Sequence, residues 1–287
     1  MRIQLEDLRQ PDWQPLHVGD RERYATATSV AILDPRTIVC CSLLARKMYL
    51  IRLDLGAETC QVIDRADTTF EGASTETDLC TARDGLIVTS NCKSASMSLY
   101  RVVGDRIRHV RDLSTGIPNY CHGARLLSDR VVVAAMINDP LGAYFFDLGS
   151  MRQVMRVGTE RLPKDVLFLS STRAVVIATS SQPQSERSDA PRESEVMIVD
   201  FDLDQGTHRV VARRSYGTGQ FDSVSAGGGR LFIADSYRGS ILVVSADTLD
   251  QVDEVDGYPF PHGVDVGHGM MAVACYGDNS VHVSRSR

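Results

Sequence analysis

Pro261-His262-Gly263-Val264-Asp265-Val266 decides how this chain is read, because the unit it opens recurs upstream without gaps. After it come a turn at Gly267 to Gly269, an apolar run at 271–275, a loop Tyr276-Gly277-Asp278-Asn279 and a further strand-like run from Ser280 to Val283. Phe221-Asp222-Ser223-Val224-Ser225-Ala226 opens a close copy, continued by Gly227-Gly228-Gly229, Leu231-Phe232-Ile233-Ala234-Asp235, Ser236-Tyr237-Arg238-Gly239 and the run 241–244. A third copy runs from Cys121-His122-Gly123-Ala124 through a Ser128-Asp129 turn into 131–135. Short β-rich runs separated by turn residues at this spacing are the signature of four-stranded propeller blades.

The weaker copies fall into register on their apolar second strands. Thr28-Ser29-Val30-Ala31-Ile32 precedes Ile38-Val39-Cys40, and Thr77-Asp78-Leu79-Cys80-Thr81 precedes Leu86-Ile87-Val88. A copy around Pro163 to Val166, ahead of Val175-Val176-Ile177-Ala178, fits with a shift of a residue or two. The expectation is an all-β, six-bladed β-propeller of four-stranded blades forming a single domain over residues 1–287. The last copy ends one strand short, so Arg2-Ile3-Gln4-Leu5 is expected to supply its outer strand and close the ring. Residues 180–195, nearly devoid of apolar side chains, cannot build core and read as a mobile loop joining the second and third strands of blade 4, either a lid over the hub or a surface insertion.

Composition narrows the function. A net charge of −6 with dispersed Lys and Arg, and no basic run, argues against nucleic acid. No apolar stretch reaches membrane-spanning length. Seven cysteines without a CxxC pair read as reduced core thiols, and the absence of a signal-like N-terminal segment points to a soluble, cytoplasmic protein, a monomer or weak homo-oligomer.

Inner strands line the axis of a propeller, so the column equivalent to His262 carries the chemistry: Thr28, Thr77, His122, a blade 4 residue that is Lys164, Asp165 or Val166, then Asp222 and His262. Two imidazoles that titrate near neutrality and a carboxylate make His122, His262 and Asp222 candidate acid/base groups, or ligands of one divalent metal ion at the hub. Thr28, Thr77, Tyr237, Arg238 and Tyr276 are candidate substrate-binding residues, with Arg238 suited to a carboxylate. Cys121, beside His122, faces the other side of its strand and reads as a buried thiol; His268 falls in a far-face turn, and Asp235 reads as a turn cap.

The phrases Leu231-Phe232-Ile233-Ala234-Asp235-Ser236, Ser240-Ile241-Leu242-Val243 and Pro261-His262-Gly263-Val264-Asp265 resemble the repeat of the NHL and SMP-30 (gluconolactonase-like) six-bladed propellers. Lactonase-like members of that group hold a metal at the channel mouth with Glu, Asn and Asp. Here the matching blade 3 position is His122, and no first-blade Glu is evident. The peptide amidating lyases and streptogramin lyase-like propellers use hub histidines, whereas strictosidine synthase-like members and some cyclases work without a metal. The resemblance therefore implies a small-molecule lyase, cyclase or hydrolase. The alternative is an NHL-like binding scaffold for a peptide or protein.

Overall fold

The computed structural model describes residues 1–4, 27–43, 45–70, 73–74, 77–117, 120–138, 140–180 and 193–285. These form six four-stranded antiparallel sheets, five running in chain order from an inner to an outer strand and the sixth taking its outer strand from the N-terminus, with a small Thr69–Phe70/Ala73–Ser74 ribbon between blades 1 and 2. The inner strands are Ala27–Asp34, Thr77–Arg83, Cys121–Leu126, Leu162–Ser170, Phe221–Gly227 and Pro261–Gly267, and consecutive ones neighbour each other around a closed ring. The fold is the expected six-bladed β-propeller. No helix among the described residues is long and apolar enough to cross a membrane.

Each second strand is sandwiched between two neighbouring blades, which is why it reads as an unbroken apolar run where a half-exposed strand would alternate. Ile38 and Cys40 enter the core shared with blade 6, while Val39 and Cys41, on the other face, enter the core shared with blade 2. Six such clusters, one per blade-to-blade interface, make up the buried core. Outer strands are largely exposed, as in Gln251–Asp256.

Closure follows the predicted route. Arg2–Gln4 pairs antiparallel with Ser280–Arg285 in the register Arg2↔His282, Ile3↔Val281, Gln4↔Ser280, and Val283 N–H donates to the Met1 carbonyl at 2.8 Å. Ile3 is buried in the cluster that joins blades 6 and 1, so the seam is hydrophobic as well as hydrogen-bonded. Leu5 and most of the 180–195 segment lie outside the described residues; the flanking Arg173–Thr179 and Glu193–Asp202 are the second and third strands of blade 4, as expected.

All six inner strands carry a β-bulge near their first residues, seen as a register shift such as Cys121/Gly123 or Pro261/Gly263 against the second strand. A bulge leaves one residue unpaired and re-aims its side chain. The glycines that follow two of these residues have no room for a side chain. A Cβ on Gly123 would lie 2.7 Å from the Lys164 carbonyl oxygen, and one on Gly263 would lie 2.6 Å from Ser29 Cα and 2.7 Å from the Thr28 oxygen. The inner strand of the next blade closes in against bare backbone at those two points.

Two stability measurements check this description. Ile3→Ala should lower the unfolding free energy in denaturant by about 2–4 kcal/mol, the range for emptying a core isoleucine site; a change near zero would mean the seam does not hold the ring. Gly263→Ala should cost about 1–3 kcal/mol through overpacking against backbone that cannot move aside, whereas the same substitution at half-buried Gly267, where a Cβ meets nothing within 4 Å, should be near neutral.

Candidate functional site

Counting along the inner strands, the bulged residues are Thr28, Asp78, His122, Lys164, Asp222 and His262, one from each blade. One of these corrects the sequence column and another completes it. Blade 2 contributes Asp78 where Thr77 was expected: Thr77 is the first paired residue of its strand, opposite Asn91, and its hydroxyl lies 3.4 Å from the Asn91 side chain. Blade 4 contributes Lys164, which settles a register that three residues could have filled. Thr28 holds its expected place, but its hydroxyl is turned to the backbone carbonyls of Cys41 and Thr77 at 3.3 and 3.5 Å.

The hub is narrow. His122 and His262, from opposite blades, stack with ring centroids 5.5 Å apart and planes inclined by 29°. Each ring is fixed from behind in the same way: His122 Nδ1 lies 2.9 Å from the Lys164 carbonyl oxygen and His262 Nδ1 lies 3.0 Å from that of Thr28. These are the carbonyls that Gly123 and Gly263 admit, so the His-Gly pair acts as a unit. A carbonyl can only accept, so Nδ1 must carry a proton in both rings, and Nε2 faces the axis.

Asp78 meets both of those nitrogens. Its carboxylate oxygens lie 3.5 Å from His122 Nε2 and 3.6 Å from His262 Nε2, too long for direct hydrogen bonds. Burial pushes the His122 pKa down to about 4, with Lys164 adding to the fall and Asp78 opposing it, so this imidazole is neutral at pH 7. A carboxylate and an imidazole lone pair face one another with no proton between them. Donor atoms of Asp78, His122 and His262 all lie within 4.8 Å of each other. A tetrahedral ion with bonds of about 2.1 Å spaces its ligands about 3.4 Å apart, so the observed separations suit a shared divalent cation.

Asp222 stands differently. Its side chain is fully buried, which works to raise its pKa, but the Lys164 ammonium at 3.4 Å, the hub imidazoles and the Ser236 hydroxyl outweigh burial and hold it at about 2. Gln220 Nε2 donates to it at 3.1 Å and Ser236 Oγ hydrogen-bonds it as well. Asp222 also reaches toward His122 Nε2 at 3.7 Å.

The hub therefore has near two-fold symmetry with one break. Rotation by three blades exchanges His122 with His262 and Asp78 with Asp222, but it exchanges Lys164 with Thr28. Lys164 compensates Asp222, and Thr28 offers Asp78 no charge. The third donor beside the two imidazoles is thus Asp78, where the sequence pointed to Asp222.

Below this layer the Arg125 guanidinium binds Asp165 through Nε at 3.3 Å and Nη2 at 2.7 Å. The cavity left there is only about 30 Å³, room for about one water molecule. On the opposite face His262 and Lys164 keep about a tenth of their side-chain surface exposed.

The remaining candidates divide. Tyr276 packs beside His262 with centroids 6.1 Å apart, and Tyr237 is 57 % exposed on the hub face. Arg238 is drawn away from the axis, donating at 2.9 Å to the carbonyls of both Thr218 and Tyr216. Asp235 is the turn cap it was expected to be, accepting from the N–H groups of Gln220, Tyr237 and Arg238. Cys121 is buried with its thiol pKa raised by desolvation and by Asp78, and His268 is exposed on the far face.

No protein-family model matches the chain, and no curated protein matches it by sequence. Solved structures share its fold. Hydrazine synthase of Kuenenia stuttgartiensis superposes with a TM-score of 0.60 at 12 % identity, covering 91 % of this chain and 95 % of that one. The WD40 β-propeller domain of Doa1 gives 0.63 at 10 % identity, covering 92 % and 94 %. A Lactobacillus plantarum protein gives 0.59 at 11 %, covering 91 % and 81 %. The chain is similar in architecture to an enzyme and to a WD40 domain alike, and at these identities the likeness concerns the propeller fold alone.

Proposed function

We propose that this protein is a small-molecule enzyme, a metal-assisted hydrolase or lyase acting at the propeller hub, with one divalent ion held by Asp78, His122 and His262. The observation that carries this reading is the meeting of the Asp78 carboxylate with two Nε2 atoms whose Nδ1 partners are committed to backbone carbonyls. When bound, such an ion supplies Lewis acidity at neutral pH.

The protein's own groups take the other roles. The Lys164 ammonium, held by Asp222, stands where it stabilises negative charge developing on a substrate oxygen. The backbone bonds behind each imidazole fix its tautomer and orientation, as outer-shell carbonyls do for metal-ligating histidines. Burying ionisable groups from five blades around one axis is costly, and a scaffold that binds partners through its loops has no use for it. The resemblance of the repeat to NHL and SMP-30-like propellers, some with hub histidines, supports an enzyme of that broad group, although the donor set departs from the Glu, Asn and Asp of the lactonase-like members. Seven free cysteines fit a reducing, cytoplasmic setting.

Elemental analysis of protein purified without chelators should find about one divalent transition metal per chain in the wild type. Asp78→Asn, His122→Ala and His262→Ala should each lose it, and a chelator should lower the melting temperature of the wild type alone. Wild-type protein that takes up no zinc, manganese, iron or cobalt on direct titration would refute the metal centre.

A further inference from the structure

The hub imidazoles are the inner end of a row of rings that reaches the surface. His262 neighbours Tyr276 with centroids 6.1 Å apart, and Tyr276 neighbours Phe260 at 5.7 Å. Phe260 is 37 % exposed at the rim. Its backbone is unusual: φ is +52°, in the left-handed region that a bulky aromatic residue rarely occupies.

The surroundings hold it there. Tyr276 N–H donates to the Phe260 carbonyl at 2.9 Å, and Gly277 N–H donates to that of Pro259 at 3.0 Å. Gly277 allows this approach, since a Cβ there would lie 2.8 Å from the Pro259 oxygen. Tyr258 N–H in turn donates to Gly239 in the loop that presents Tyr237. Three hub-face segments of blades 5 and 6 are therefore locked together around an exposed ring kept in a strained conformation. Strain maintained by its surroundings concentrates at sites that bind or react, and the apolar core does not need this ring, which packs on Tyr276 at the rim.

We propose that Phe260 and Tyr276 form a subsite for a planar aromatic ring of the substrate, whose polar group then lies at the hub beside His262. This rests on the hub being the reactive centre, and it adds the substrate class: aryl-bearing small molecules. A rigid aromatic platform favours a flat ring through offset or edge-to-face packing, beyond the area it covers. Short aliphatic compounds that reach only the hub gain none of this.

Two hydroxamates make the test, since both offer the same metal-binding head and differ only in the phenyl or methyl body. On the zinc-loaded wild type, calorimetry should show benzohydroxamate binding about tenfold or more tighter than acetohydroxamate. In Phe260→Gly that preference should fall below about threefold while the acetohydroxamate Kd is unchanged, and Phe260→Tyr should retain it. Glycine adopts positive φ without strain, so the glycine variant should melt within a few degrees of the wild type, separating loss of the subsite from misfolding. Equal affinity for the two probes in the wild type, or a preference that survives Phe260→Gly, would overturn the proposal. If zinc titration shows no binding, the metal reading falls by itself. The same pair compared on metal-free protein by saturation-transfer NMR then decides: a phenyl signal lost in Phe260→Gly supports the subsite, and one absent from the wild type or kept in the variant refutes it.

Discussion

The hydrogen bond from each hub imidazole to the main chain of the next blade is the constraint on which the site depends. It runs from His122 Nδ1 to Lys164 and from His262 Nδ1 to Thr28, and it exists because Gly123 and Gly263 let neighbouring inner strands approach more closely than any side chain permits. One interaction thus fixes three properties: the distance between blades at the hub, the orientation of the ring, and which nitrogen faces the axis. A histidine without the following glycine would hold neither the position nor the tautomer.

Symmetry and its breach follow from the same ring. Six bulged residues supply two imidazoles, two carboxylates, one ammonium and one hydroxyl, arranged so that each half-turn repeats the previous one except at Lys164 and Thr28. That single difference divides the hub into a charge-balanced side, Lys164 with Asp222, and an unbalanced side, Asp78 with the two imidazoles. Such a concentration of buried polar groups is destabilising by itself. The scaffold offsets it with six apolar blade interfaces and a closed seam at Ile3, none of which involves the hub residues.

Much of this was legible in the sequence. The gapless match of Pro261-His262-Gly263-Val264 to Cys121-His122-Gly123-Ala124 gave both the blade repeat and the pairing of the two histidines, and the unassigned Arg2-Ile3-Gln4 gave the closing strand. Asp78 was missed because a bulge inserts an unpaired residue, and apolar runs aligned by their second strands do not reveal where in the first strand it falls. A usable signal was present nonetheless. Two residues after each bulge stands the inner strand's contribution to a blade interface, Val30, Cys80, Ala124, Val166, Val224 or Val264, and counting back two from these yields Asp78 and Lys164 directly. The choice between Asp78 and Asp222 was not legible, because it depends on which carboxylate Lys164 pairs with, and it takes Asp222 of the adjacent blade.

Long-range ¹H–¹⁵N NMR of the imidazole nitrogens tests the central claim most directly. The account predicts that, in metal-free protein at neutral pH, His122 and His262 both carry their proton on Nδ1, and that added zinc shifts both Nε2 resonances together. Protonation of both rings at Nε2, or zinc shifts confined to histidines outside the hub, would contradict it.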